Sequence, residues 1–165
     1  MRLIIVALID EGYGLGKDNK LLYRIKEDMK FFREITTNHY IVMGKNTFLS
    51  LNGLLPNRKH LVISTSMESD NFVKVYKSIN DFLGDSAFMG EDVFVIGGEQ
   101  IYKELLPYTD LMYLTKVHFY KEADAHFPRF DINDFDEELL GEYKTELYDY
   151  ERVLYKRKQT KTDKK

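Results

Sequence analysis

The chain has no cysteine among its 165 residues, which excludes disulfides, thiolate metal sites and thiol nucleophiles. Its four histidines, His39, His60, His118 and His126, show none of the spacings that hold a metal ion, so no metal is expected. No Gly-x-Ser-x-Gly elbow is present, which leaves a serine-hydrolase reading without its nucleophile. Long apolar runs are also missing. The N-terminal run Leu3–Ile9 (LIIVALI) is seven residues long, far below the roughly 20 that span a bilayer. It is dominated by β-branched residues and no small-residue cleavage site follows, so it reads as a buried first strand rather than a secretory leader. A cytoplasmic location is the resulting expectation.

Charge of one sign is scarce as well. A net charge of −3 gives no general attraction to nucleic acid or to an anionic membrane. The basic run KRKQTKTDKK at the C-terminal end has almost no apolar residues and reads as a solvated, disordered tail over 158–165. No repeat, low-complexity linker or Pro/Gly-rich boundary interrupts 1–157, which reads as a single domain. With 44% hydrophobic and 31% charged residues, it is long enough to bury a core of its own. Nothing signals an oligomer, so a monomer is expected.

What is present is alternation. Strand-like runs lie at Leu3–Ile9, Tyr40–Met43, His60–Ile63, Val73–Tyr76, Val93–Ile96, Leu111–Val117 and Arg152–Lys156. Helix-like patterns lie between them at Ile25–Thr36, Lys45–Leu51, Ser78–Leu83 and Glu99–Leu106. Strand–helix alternation predicts an α/β protein with a largely parallel sheet and helices on both faces. After Leu106 the good helices stop, which predicts antiparallel strands at the C-terminal edge.

The most informative stretch is Val93–Leu106, where an apolar run ends in Gly97-Gly98 and a helix pattern begins. Such a junction lets a phosphate approach the backbone and meet the helix N–H groups; it equally serves as a plain connecting turn. The run YIVMGKNTF repeats the theme at Gly44, with Lys45 and Thr47 offering a charge and a hydroxyl. Ser64, Thr65 and Ser66 follow a third strand as a hydroxyl cluster. Gly12, Gly14 and Gly16 do not form the dinucleotide fingerprint, because Lys17 stands where its third glycine belongs. The segment around them reads as a flexible loop that can act as a lid. Asp28 falls on the same helix face as Ile25, Met29 and Phe32. There it is either an acid that binds a polar ligand in a cleft or a first-turn acid favoured by the helix dipole. Arg58 is either a carboxylate-binding arginine or a solvated one.

In order and spacing, LIIVAL, GLGKDNKLLYRIKEDMKFF, IVMGKNTF, LPNRKHLVIS, VFVIGGEQIYKELLP, MYLTKV and ADAHFP resemble dihydrofolate reductases of the bacterial chromosomal type over nearly the whole chain. The resemblance implies a three-layer α/β/α fold with a mixed, mostly parallel eight-stranded sheet and an antiparallel C-terminal edge strand. It implies NADPH-dependent reduction of 7,8-dihydrofolate, with hydride reaching C6 and a proton N5. Antifolates such as trimethoprim or methotrexate are implied as further ligands. By position, Asp28 is the cleft acid, Thr115 its hydrogen-bond partner, and Tyr102 a neighbour of the hydride-transfer site. Val6, Ala7, Met29, Phe32, Leu51, Leu55 and Ile96 line the pterin and aminobenzoyl pocket, and Arg58 pairs with the substrate's α-carboxylate. For the cofactor, the resemblance implies Ala7, Gly44, Lys45, Asn46, Thr47, Ser64, Thr65, Ile96, Gly97, Gly98, Glu99, Gln100, Ile101 and Tyr102. It also implies a cis peptide between the two glycines, and a mobile loop carrying Leu15, Gly16, Asn19 and Leu21.

The chain departs from the family pattern in three places. Leu22-Tyr23 replaces a Pro-Trp pair whose Trp contacts the active site, Glu99 replaces a smaller or uncharged residue, and Gln100 replaces a basic one. Preference for NADPH over NADH then rests chiefly on Lys45. A reductase of the same fold from riboflavin biosynthesis would share the glycine pair but lack the combination of Asp28, Phe32, Arg58 and Thr115.

Overall fold

Short β-branched runs, too continuous for strands with one wet face, become the central sheet of the protein. The computed structural model describes residues 1–159. Its strands β1 (Arg2–Ile9), β4 (Tyr40–Gly44), β5 (Lys59–Ile63), β6 (Val73–Tyr76), β7 (Asp92–Val95), β8 (Leu111–Val117), β10 (Phe135–Lys144) and β11 (Asp149–Arg157) form one eight-stranded sheet. The spatial order is β10-β11-β8-β1-β7-β4-β5-β6. All neighbours from β8 to β6 pair in parallel, while β11 is antiparallel to both β8 and β10.

Helices cover both faces. α3 (Ile79–Leu83) and α4 (Glu99–Leu105) bring Phe82, Ile101 and Leu105 against Leu3, Ile5, Val42, Val93 and Val95. On the other face, α1 (Lys26–Thr36) and α2 (Lys45–Ser50) bring Ile35 and Phe48 against Ile4, Ile41, Met43, Val62 and Phe94. Ile5, Ile41, Val42, Val62, Val93 and Val95 are wholly buried, and each contributes roughly 1.5–3 kcal/mol of burial. The layers are those expected from the sequence.

Two features differ from the sequence reading. The segment after β1 contains a hairpin, β2 (Gly14–Lys17) and β3 (Lys20–Leu21), which joins β9 (Ala125–His126) in a small second sheet. These strands are short, polar and glycine-rich, so they carry no periodic signal. The antiparallel C-terminal edge is a hairpin whose outermost strand is β10. Its sequence FDEELLGEYK is acidic and mostly exposed, as suits an edge that resists pairing with other chains, and that composition hid it. Of the tail expected over 158–165, Lys158 donates its N–H to Asp134 O at 2.9 Å; residues 160–165 lie outside the described residues. Among the described residues no helix is long and apolar enough to cross a membrane.

Candidate active site

The C-terminal ends of β1, β4, β5 and β7 open on one edge of the sheet, where α/β sheets hold ligands. Two strand–helix junctions meet there. β4 enters α2 through Gly44, and β7 leads to α4 through Gly97-Gly98. The Gly44 N–H donates to Gly97 O at 2.9 Å, and the Ile96 N–H to Val42 O at 3.1 Å. The Gly97-Gly98 peptide is cis. Gly97 has φ +129°, a conformation that side chains rarely adopt. A Cβ on Gly98 would lie 3.3 Å from Thr47 Oγ1, and one on Gly44 would lie 3.1 Å from Ile101 Cγ1. Neither α2 nor α4 has a side-chain cap, so their first-turn N–H groups are left for another acceptor. Two glycine junctions that are remote in sequence are thus side by side.

Beyond β5, Lys45 Nζ donates to Ser66 Oγ at 2.9 Å, and Ser66 Oγ lies 3.3 Å from Ser64 Oγ. Thr65 and Asn46 are exposed beside them. One cation and a group of hydroxyls therefore line the far end of the junction. Behind the glycines, Ile101, Tyr102 and Ala7 are buried. Tyr102 Oη donates to Val6 O at 2.7 Å. Burial pushes its phenol well above the ordinary range, so it remains a neutral donor. The Glu99 carboxylate accepts the His126 N–H at 2.5 Å and ties α4 to β9, while Gln100 is exposed.

The acid lies toward β8, with β1 between it and the strands that carry the two junctions. α1 lays Asp28 over β8 and β11, where its Oδ1 accepts from Thr115 Oγ1 at 2.5 Å and from Arg152 Nη2 at 2.8 Å. The Asp28 side chain is 17% exposed. Oδ2 has no partner among the described residues, yet no buried side-chain polar atom there lacks one. Oδ2 is therefore open to solvent. Val6, Ile96, Leu51 and Leu55 are half-buried against the same apolar cluster, and Phe32 is half-buried on α1. Met29 is exposed; on α1 only Thr36 is fully buried, so the helix walls an opening and is not sealed onto the sheet. Arg58 Nη1 donates to Thr36 Oγ1 at 3.2 Å and its Nε to Pro56 O at 3.0 Å, with the guanidinium 5.9 Å from the Phe32 ring centre.

The family model for dihydrofolate reductase matches residues 2–157. The chain belongs to the dihydrofolate reductase family. It is 39% identical over 157 residues to the dihydrofolate reductase of Bacillus subtilis (strain 168), covering 93% of each chain. It is 32% identical over 166 residues to that of Staphylococcus haemolyticus, covering 95% of this chain and 96% of the relative. Its fold is similar, with a TM-score of 0.87 and 28% identity, to dihydrofolate reductase from Enterococcus faecalis complexed with NADP(H) and RAB-propyl, covering 96% of this chain and 97% of that one.

The structure gives Leu22-Tyr23, the pair by which this chain departs from the family, a local task. Tyr23 is buried and donates Oη to Asp10 Oδ2 at 2.7 Å. Its ring packs edge-on to Tyr148 at 5.0 Å and under Lys121 Nζ at 4.6 Å. The same lysine donates to Leu22 O at 3.0 Å. Leu15 packs on the core, and Gly16 sits where a Cβ would lie 2.6 Å from Lys20 O. Asn19 is exposed at the hairpin turn with φ +62°, and Leu21 is exposed on β3. Two neighbours of these residues, Asp10 and Arg152, belong to no motif in the sequence. The signal for Arg152 is strand alternation. It lies two residues from the buried Tyr150, so it shares that inward face.

Proposed function

We propose that this cleft catalyses NADPH-dependent reduction of 7,8-dihydrofolate to 5,6,7,8-tetrahydrofolate, by hydride transfer to C6 and protonation at N5. The observation that carries the proposal is one acid with an open oxygen, Asp28 Oδ2, facing solvent with β1 between it and the strands of the paired glycine junctions. The junctions fit a dinucleotide: a Cβ on Gly44 or Gly98 would crowd Ile101 or Thr47, so glycine keeps the two turns close, and two uncapped helix starts offer N–H donors. When bound, NADPH supplies the hydride.

The protein's own residues then bind and orient. Gly97, Gly98, Asn46 and Thr47 hold the pyrophosphate. Lys45, Ser64 and Thr65 take the adenosine ribose and its 2′-phosphate, and Glu99 and Gln100 border that path. Ala7, Ile96, Ile101 and the neutral Tyr102 form the floor beside the reacting carbons. Val6, Met29, Phe32, Leu51 and Leu55 enclose the pterin and aminobenzoyl rings, and Arg58 pairs with the glutamate α-carboxylate. Asp28 Oδ2 accepts from the pterin ring and favours its protonated form. Thr115 spends its proton on Asp28, which leaves a lone pair for the pterin amino group. The hairpin bearing Leu15, Gly16, Asn19 and Leu21 closes over the nicotinamide and excludes water. Residues 1–157 act as one domain, and antifolates of the trimethoprim or methotrexate kind compete for the Asp28 site.

The test is NADPH oxidation by the purified protein in the presence of dihydrofolate. Turnover that requires both reactants is expected; none would end the proposal. Lys45 supplies the cation for the 2′-phosphate, so Lys45→Met should raise KM for NADPH by about tenfold, the loss of roughly one charge-assisted contact. KM for NADH should stay within about twofold of the wild-type value, because no phosphate is lost. An equal rise for both cofactors would place Lys45 elsewhere.

A further inference from the structure

Arg152 is buried to 5% exposure in the middle of β11, directly across the ladder from Thr115 of β8. Three aromatic rings surround its guanidinium, at 3.8 Å from Phe31, 5.3 Å from Tyr143 and 6.0 Å from Tyr150. Tyr143 and Tyr150 stack on one another at 5.0 Å and 20°. Gly141 admits this arrangement, since a Cβ there would lie 2.5 Å from Tyr143 Oη. The rings limit the planar guanidinium to few orientations. In the one it adopts, Nη2 is 2.8 Å from Asp28 Oδ1 and Nε is 3.3 Å from Thr115 Oγ1. Asp28 is its one ion-pair partner among the described residues.

A buried ion pair adds little stability over well-packed apolar side chains. Its benefit here is orientation. With Thr115 and Arg152 both on Oδ1, the carboxylate cannot rotate without breaking two hydrogen bonds, and Oδ2 is left as the acceptor facing the opening. The charge also matters: a ligand that displaces water from Asp28 strips its solvation, and an adjacent fixed cation offsets that loss.

We propose that Arg152 is a positioning residue for substrate binding, pinning Asp28 Oδ1 and Thr115 Oγ1 so that Oδ2 is presented to the pterin ring. This rests on the reading of Asp28 as the pterin-binding acid. Lysine cannot replace it fully, because one ammonium on a flexible stem does not span both oxygens in a fixed plane.

Steady-state kinetics of Arg152→Met and Arg152→Lys with dihydrofolate and NADPH test the proposal, with folding followed by thermal melting. Arg152→Met should raise KM for dihydrofolate by about tenfold or more, with KM for NADPH within about twofold of wild type. Arg152→Lys should recover part of the loss. In an Asp28→Asn background, Arg152→Met should cost no more than about twofold further, since its effect runs through the carboxylate. Unchanged KM for dihydrofolate in Arg152→Met, equal losses for both ligands, or full additivity with Asp28→Asn would each overturn the proposal. Should Arg152→Met fail to fold, Arg152→Lys decides alone, and a wild-type KM in that variant overturns the two-oxygen pinning. Each of these failures leaves wild-type turnover intact; a wild type without turnover overturns the reductase reading itself.

Discussion

Asp28→Asn should lower kcat/KM for dihydrofolate near neutral pH by about 10²- to 10⁴-fold, the range for removing a positioned acid or base. The amide keeps the shape of the carboxylate, so Thr115 Oγ1 and Arg152 Nη2 can still donate to its oxygen. What disappears is the negative charge that, on the proposed function, favours a protonated pterin. The loss should therefore shrink as pH falls, because more substrate arrives already protonated. KM for NADPH should change by no more than about twofold, since the glycine junctions are untouched. The Arg152 charge loses its counter-ion, so some loss of stability, about 1–3 kcal/mol, accompanies the change; melting curves separate this from the kinetic effect. Activity close to wild type would remove Asp28 from its role.

The second large effect is on stability. Asp10, 3% exposed at the end of β1, accepts hydrogen bonds from Tyr23 Oη at 2.7 Å and from the N–H groups of Gly12, Gly14 and Lys121 at 3.0, 2.9 and 3.0 Å. One carboxylate thus fastens the start of the hairpin, the loop residue before α1 and the segment after β8. Asp10→Ala leaves these donors without an acceptor and should cost about 3–5 kcal/mol. That is a large share of the roughly 5–15 kcal/mol that holds a domain folded. Urea unfolding at neutral pH measures it; a loss below about 1 kcal/mol would show that the loops do not depend on this residue.

The sign of the pH dependence follows from the same contacts. Burial alone raises the Asp10 carboxyl, but the hydrogen bonds from Tyr23, Lys121, Gly14 and Gly12 outweigh it and hold the group below its usual value. A carboxyl depressed on folding contributes stability above its unfolded pKa, near 4, and that contribution is lost as pH falls through the lower folded value. Wild type should therefore lose stability between about pH 5 and pH 2 more steeply than Asp10→Asn.

Much of this was legible in the sequence, for physical reasons. Strands buried on both faces need unbroken apolar runs, so β1, β4, β5 and β7 announce themselves. Backbone that a ligand or helix approaches closely needs glycine, so Gly44 and Gly97-Gly98 were visible before their proximity was. Asp28 stood out because a carboxylate on an apolar helix face needs a partner. The partner did not stand out. Arg152 lies far along the chain, and only the β8–β11 register brings it beside Thr115. Asp10 was silent for a related reason: its donors are mostly backbone N–H groups, which carry no sequence identity. β10 was hidden by its role, since an exposed acidic edge reads as loop until its partner strand is known.

On the proposed function, the glycine junctions and Asp28 bring a nicotinamide and a pterin face to face. Isotope transfer tests this most directly. The reaction would be run with NADPH deuterated at the transferring nicotinamide carbon, and the product examined by NMR and mass spectrometry. The expected product is tetrahydrofolate with one deuterium, at C6, and a solvent-derived proton at N5. Product without that label at C6, or no product at all from folded protein, would contradict it.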